Sequence, residues 1–225
     1  MTHNMLIGLC GKARVGKNSV ANILVEDGRL GTNQYSFAKP IKDVCNALFD
    51  WEEGNYELPF KEDNVSVTVT QEQVNKAEEI YTKYGLNLFL DGFEAIWRLL
   101  GALGLLHENR AYGFISPRRA YQVFGTDVMR DVLPNVWTTI APSKNVIITD
   151  VRFMNEVEWI KKHSGILVYI NRPDVQQVAA HASEREFDKI IESGNIDYII
   201  ENNGTLEDLK APVNRLIETI INEDK

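Results

Sequence analysis

Short runs of apolar residues alternate along the chain with segments in which apolar residues recur at helical spacing. The first run, residues 5–10, stops at Gly11, and helical spacing then continues to about Gly28. Because continuous apolar strands separated by helices are typical of parallel sheets buried on both faces, the pattern predicts an α/β fold with a doubly wound parallel sheet. Ligands bind beyond the carboxyl ends of the strands in such folds. The predicted strands are residues 5–10, 35–37, 145–149, 165–170 and 196–200, and the predicted helices begin near 17, 40, 118, 154 and 206.

The segment 51–117 departs from this alternation. It carries a polar, β-branched stretch at 65–70, helical spacing at 74–81 and a further helical pattern at 93–106. These patterns predict a mainly helical insertion on the sheet, within a single domain that covers residues 1–225.

Composition and charge exclude several classes of protein. The 225 residues carry a net charge of −8, which disfavours broad nucleic-acid or membrane-surface binding, because both depend on basic patches. No apolar run reaches the roughly 18 residues of a membrane-spanning helix, and the N-terminus lacks the basic start and long apolar stretch of a signal peptide. Cys10 and Cys45 are too few for a disulfide framework. We therefore expect a soluble cytosolic protein with no nucleic-acid or membrane partner.

The strongest motif is the turn between the first strand and the first helix. Residues 11–19 (GKARVGKNS) contain two glycines and a lysine in the pattern G-x4-G-K. Such glycines let successive backbone N–H groups point at phosphate oxygens, and the helix N-terminus adds the positive end of its dipole. Lys17 would reach the β- and γ-phosphates. The motif predicts a phosphate-binding loop (P-loop) for a nucleoside triphosphate.

One residue of this loop departs from the strict pattern. A Ser or Thr that holds Mg²⁺ normally follows the lysine, whereas here Asn18 takes that position and Ser19 comes next. We therefore expect Mg²⁺ to be held mainly by phosphates, water and Ser19.

Arginines and one aspartate follow several of the predicted strands and loops. Arg14 lies inside the loop, Arg118 and Arg119 open a helix, and Arg152 and Arg172 follow strands. The planar guanidinium pairs bidentately with phosphate, as phosphoryl transfer requires. Asp150, which ends an apolar strand, is a candidate for a carboxylate beside Mg²⁺, or else a cap of the next helix.

Taken together, these segments resemble the bacteriophage-type deoxynucleoside-monophosphate kinases, a P-loop family with a nucleoside-monophosphate-kinase-like fold. The resemblance covers most of the chain except about 51–117. It rests on the order and spacing of the loop 11–19 and of the segments 37–43 (FAKPIKD), 118–127 (RRAYQVFGTD), 149–152 (TDVR), 171–173 (NRP), 181–184 (HASE) and 203–207 (NGTLE).

The resemblance implies transfer of the γ-phosphoryl group of ATP, with Mg²⁺, to a deoxynucleoside monophosphate, in deoxynucleotide biosynthesis. It also implies that 51–117 lies on the acceptor side and that about 174–192 forms a lid. If a bacteriophage encodes the chain, the host-cell cytoplasm is its compartment.

The resemblance also implies a role for individual residues, by their position in the motifs. The residues implied at the ATP site are Gly11, Arg14, Gly16, Lys17, Asn18, Ser19, Arg172, Asn203 and Gly204. Those implied at the acceptor site are Ala38, Pro40, Lys42, Arg118, Arg119, Gln122, Gly125, Thr126, Asp127 and Asp150. The implied reaction centre comprises Lys17, Arg14, Arg119, Asp150 and Arg152, the implied metal ligands are Ser19 and Asp150, and the lid residues are His181, Ser183 and Glu184.

The sequence leaves other functions open. The same arginines would serve a P-loop kinase of another phosphorylated metabolite similar to dephospho-coenzyme A. A non-catalytic nucleotide-binding regulator could use 51–117 to contact a partner. Lys39 stands where relatives have a small or acidic residue, so the accepted bases are not fixed, and the choice between a monomer and a homodimer also stays open.

Overall fold

The computed structural model of the chain describes residues 5–51, 61–108, 110–173 and 188–223. It divides into two compact units, one formed by Met1–Phe37 with Ala141–Lys225 and the other by Ala38–Ile140. We call them the first and the second unit and describe each by itself. The single domain with an insertion at 51–117 stays a prediction.

The first unit contains five strands and three of the α-helices whose bounds the structure gives. Its strands are β1 (Leu6–Cys10), β2 (Asn33–Tyr35), β6 (Val146–Val151), β7 (Ile166–Asn171) and β8 (Tyr198–Glu201), and its helices are α1 (Lys17–Asp27), α7 (Met154–Lys162) and α8 (Leu206–Glu223). The second unit contains three strands and five α-helices with given bounds. These are β3 (Val65–Val69), β4 (Leu106–His107) and β5 (Arg110–Ile115), with α2 (Lys39–Phe49), α3 (Gln71–Lys83), α4 (Gly92–Ala102), α5 (Pro117–Gln122) and α6 (Val136–Thr139).

The strands of the first unit form a parallel sheet in the order β2-β6-β1-β7-β8. Every residue of β1 is buried, because β1 lies in the middle of the sheet and helices cover both faces. On one face, Val20 and Leu24 of α1 pack with Val213 of α8 in one apolar cluster. On the other, Ile160 of α7 comes so close to Gly8 that a β-carbon there would lie 2.3 Å from it. The predicted α/β class is confirmed.

The predicted second strand is two residues out of place. The sequence predicts it at residues 35–37, whereas β2 covers Asn33–Tyr35. Ser36 and Phe37 instead donate hydrogen bonds to the carboxylate of Asp150. Phe37 is buried against Trp159, with the ring centroids 5.9 Å apart. The apolar signal at Phe37 therefore reflects core packing rather than strand pairing.

The second unit combines helices with an antiparallel sheet in the order β3-β5-β4. The predicted helix at 93–106 is too long, since α4 ends at Ala102. Gly104 then adopts the left-handed conformation (φ 69°), and Leu106 begins β4. The helix predicted from 118 begins at Pro117 and continues beyond α5 as a π-helix over Val123–Arg130. Among the residues described in either unit, no helix has both the length and the apolarity to cross a membrane.

Candidate functional site

The loop between β1 and α1 has the backbone shape that its glycines predict. Gly11, Arg14 and Gly16 all have positive φ, at 145°, 65° and 99°. A β-carbon on Gly11 would lie 2.6 Å from the carbonyl oxygen of Ile170, so that position has no room for a side chain. Left-handed residues within a turn direct successive N–H groups into a concavity that suits an anion, and α1 adds its dipole. The loop is therefore a candidate phosphate site.

Lys17, the first residue of α1, folds back over this loop. Its Nζ donates to the carbonyl oxygens of Gly11 and Lys12, each at 2.7 Å. Burial, reinforced by the positive charge of Arg152, lowers the pKa of Lys17 to about 8, although Asp150 opposes the shift. Lys17 remains mostly protonated at neutral pH, and it gives the loop a poorly solvated positive charge.

Asp150 lies near the end of β6, which pairs with β1. Its Oδ2 accepts a hydrogen bond from Ser36 Oγ at 2.7 Å, and its Oδ1 accepts one from the backbone N–H of Phe37 at 2.8 Å. It does not cap the next helix, because Phe153 is the N-cap of α7. These two bonds orient the carboxylate at the end of β6.

Glu156, which is not among the predicted site residues, also lies in this region. It is 2% exposed, and its Oε2 accepts from the backbone N–H groups of Arg152 (2.8 Å) and Phe153 (3.2 Å). The carboxylate thus fixes the chain directly after Asp150 and Val151. A Glu three residues after a helix N-cap is a recognisable capping signal, so the sequence did carry an indication of this role.

The remaining donor-side candidates follow the carboxyl ends of other strands in the same parallel sheet. Arg172 is exposed directly after β7, and Asn203 and Gly204 lie between β8 and α8. Asn18 and Ser19 are in the first turn of α1, where Asn18 is exposed and Ser19 is half-buried. All of these segments therefore lie at or after the carboxyl ends of strands in one parallel sheet, where the doubly wound pattern predicts a ligand site. They comprise the loop, Asp150, Arg152, Arg172 and Asn203.

In the second unit, α2 packs against the π-helix at Gly125. A β-carbon on Gly125 would lie 2.7 Å from Ile41 Cδ1, and the Gly125 carbonyl accepts a hydrogen bond from Trp137 Nε1 at 3.1 Å. This contact places the start of α2 beside the π-helix. It thereby brings two groups of predicted acceptor residues together: Ala38, Pro40 and Lys42 at the start of α2, and Gly125, Thr126 and Asp127 in the π-helix. Gln122, another predicted acceptor residue, is the last residue of α5, directly before the π-helix.

The structure distinguishes the two adjacent arginines of α5. Arg118 Nε donates to Glu62 Oε1 at 2.5 Å, so its guanidinium is already paired. Arg119 is exposed, and its side chain has no ion-pair or hydrogen-bond partner among the residues described. Of the two predicted phosphate contacts, Arg119 is the one whose guanidinium is available. The predicted lid residues His181, Ser183 and Glu184 lie outside the described residues.

Comparison with known proteins adds to this geometry. The model of the family described as deoxynucleotide monophosphate kinase matches residues 103–213. The deoxynucleoside-5′-monophosphate kinase of Escherichia phage T5 is 32% identical over 182 residues, which is 71% of this chain and 72% of the phage protein. The chain belongs to the deoxynucleotide monophosphate kinase family. The protein is a nucleotide kinase, as the resemblance predicted.

Two further proteins are similar to this kinase. A protein of Acanthamoeba polyphaga mimivirus, provisionally named deoxynucleotide monophosphate kinase, is 28% identical over 228 residues, covering 93% of this chain and 94% of that protein. A shikimate kinase from Bacteroides thetaiotaomicron matches with a TM-score of 0.43 and 14% identity over 96% of this chain and 98% of that chain. The residues matched by the family model include Arg119, Asp150 and Arg152, whereas the loop at 11–17 lies before them.

Proposed function

We propose that this kinase transfers the γ-phosphoryl group of ATP to a deoxynucleoside 5′-monophosphate, giving ADP and a deoxynucleoside diphosphate. The observation that carries the proposal is the loop 11–16, with its three left-handed residues and the poorly solvated Lys17 above it. The name of the phage T5 relative, deoxynucleoside-5′-monophosphate kinase, supports a deoxynucleoside monophosphate as the acceptor.

The proposed reaction needs little covalent chemistry from the protein. An oxygen of the acceptor phosphate attacks the γ-phosphorus of ATP, and the bond to the β,γ-bridging oxygen breaks, so that ADP leaves. The attacking oxygen is already anionic at neutral pH, and no strong general base is required. Positioning and electrostatic stabilisation then supply the catalysis. The loop N–H groups and Lys17 would neutralise the charge on the donor phosphates, and Arg119 would hold the acceptor phosphate.

Mg²⁺ fits the oxygen donors beside the loop. Ser19 in the first turn of α1 and the oriented carboxylate of Asp150 would hold it. Among the described residues, no group of three His, Cys, Asp or Glu side chains could hold a metal ion alone. Mg²⁺ at phosphate sites usually binds through one or two protein oxygens together with phosphates and water. The ion would neutralise charge on the phosphate oxygens.

Release of ADP with a panel of acceptors tests the proposal. Purified protein is incubated with ATP and Mg²⁺, and with each of the four deoxynucleoside monophosphates, the four ribonucleoside monophosphates, or dephospho-coenzyme A. We expect ADP to form only when a deoxynucleoside monophosphate is present. Turnover confined to dephospho-coenzyme A would identify a metabolite kinase. ATP binding without turnover on any acceptor would instead identify a regulator.

The pKa of Lys17 predicts a pH dependence of ATP binding. The charged form binds phosphate, and burial lowers its pKa to about 8, so the charge is present below pH 8 and lost above it. The thiol of Cys10, whose pKa burial raises to about 12, stays protonated throughout this range. Above pH 8 we expect the association constant for ATP, measured by calorimetry, to fall by up to about tenfold per pH unit.

The variant Lys17→Arg is the control for this titration, because a guanidinium stays charged at every pH used. The decline above pH 8 should be absent from whatever ATP binding that variant retains. A wild-type affinity that stays constant from about pH 7 to about pH 9.5 would contradict the role of Lys17.

A further inference from the structure

Asn202 is a buried polar residue at the end of β8, and only its neighbours Asn203 and Gly204 are among the predicted site residues. It is 4% exposed. Its backbone N–H donates to the carbonyl oxygen of Asn171 at 2.8 Å, which extends the pairing of β7 with β8. Its side-chain Nδ2 donates to the carbonyl oxygen of Val15 at 2.8 Å. One amide thus links the end of β8 to the phosphate loop, 187 residues away in the sequence.

The same side chain also fills the space beside Gly16. A β-carbon on Gly16 would lie 2.6 Å from Asn202 Nδ2, and Gly16, the N-cap of α1, has φ 99°. Position 16 is therefore restricted to glycine by its backbone conformation and by the amide that lies against it. The carbonyl of Val15 and the α-carbon of Gly16 are both held where the loop turns into α1.

We propose that Asn202 is a positioning residue for phosphoryl transfer, which acts through Val15 and Gly16 to hold the loop N–H groups and Lys17 in the geometry that binds phosphate. The inference rests on the proposed ATP site at this loop. Asn202 also directly precedes Asn203 and Gly204, which are predicted to lie near the donor nucleotide. The donor nucleotide and its phosphates would then be supported from the same point at the end of β8.

Positioning and simple stabilisation of the core predict different measurements. Replacing a residue that only stabilised the fold would lower the melting temperature, but the protein that remained folded would bind ATP normally. A positioning residue changes the donor-side constants of the folded enzyme, because misplacing reacting groups by about 1 Å can cost about a hundredfold in rate. Donor and acceptor constants must therefore be measured separately, at a temperature well below the melting temperature of each variant.

Two substitutions at position 202 test the proposal. Asn202→Ala removes the donor to Val15, and Asn202→Asp keeps the size of the side chain but places an acceptor against that carbonyl. In both variants we expect ATP to bind at least about tenfold more weakly and kcat/KM for ATP to fall at least about thirtyfold, with KM for the acceptor within about twofold of wild type. Asn214→Ala, the same change at an exposed position of α8, should leave all three constants unchanged.

Normal ATP affinity and normal kcat/KM for ATP in folded Asn202→Ala would overturn the inference. An increase in KM for the acceptor as large as the loss of ATP affinity would overturn it too. If neither variant folds, Asn202→Ser, which keeps a hydroxyl donor on a smaller side chain, allows the same comparison. A wild-type protein that bound no ATP would instead remove the proposed function on which the inference rests, so the two failures are distinguishable.

Discussion

Replacing Lys17 by alanine is expected to lower kcat by about a thousandfold and to leave the fold intact. The ammonium group lies at the mouth of the loop, held by the carbonyls of Gly11 and Lys12. There it would stabilise the negative charge that moves to the bridging oxygen as the bond to the γ-phosphorus breaks. A charge that burial has already deprived of water interacts more strongly with phosphate than a fully hydrated one, and its loss is correspondingly costly.

The fold should tolerate this change because Lys17 contributes little to the core. Among the described residues, its Nζ donates hydrogen bonds only to loop carbonyls, and burial, which lowers its pKa, disfavours the charged form. ADP formation in a single turnover measures the rate, and circular dichroism during heating measures stability. Lys144→Ala removes an exposed lysine of the same unit and should change neither. A Lys17→Ala rate within about tenfold of wild type would show that the loop does not serve phosphoryl transfer.

The central strands were predictable because burial on both faces makes them continuously apolar. β1, β6 and β7 all follow such runs closely. β2 has no buried residue and therefore left no apolar run of its own. The apolar side chain of the nearby Phe37 instead led to a strand predicted two residues too late in the sequence. In the second unit, the break after α4 depends on the left-handed backbone at Gly104, which apolar spacing does not encode.

The site was predictable where its chemistry is local in the sequence. The loop 11–17 carries its own geometry in its glycines, and so it was recognisable without the fold. Contacts between distant residues left no such pattern. Asp150 is oriented by Ser36 and Phe37, more than a hundred residues away, and Val15 is held by Asn202. Such contacts depend on which strands become neighbours in the sheet, and a single sequence does not contain that information directly.

Arg118 and Arg119 could not be told apart in the sequence, and the structure now predicts different roles for them. Arg119→Ala is expected to raise KM for the acceptor by about a hundredfold, with KM for ATP within about threefold of wild type. A guanidinium that has no partner among the described residues can bind the acceptor phosphate bidentately. Arg118→Ala should have a smaller effect on the acceptor, because its guanidinium is already bound to Glu62. Both constants come from initial rates with one substrate saturating and the other varied.

The control for this prediction is Arg110→Ala, which removes another exposed arginine of the second unit, on β5, and should change neither constant. The comparison separates local recognition from the general attraction of an anion to positive charge, since all three variants lose one charge. Equal losses in all three would indicate only general attraction. A larger rise in KM for ATP than for the acceptor in Arg119→Ala would reverse the assignment and place Arg119 at the donor phosphates. If the acceptor alone is affected, and chiefly at Arg119, the start of α5 is where the monophosphate binds.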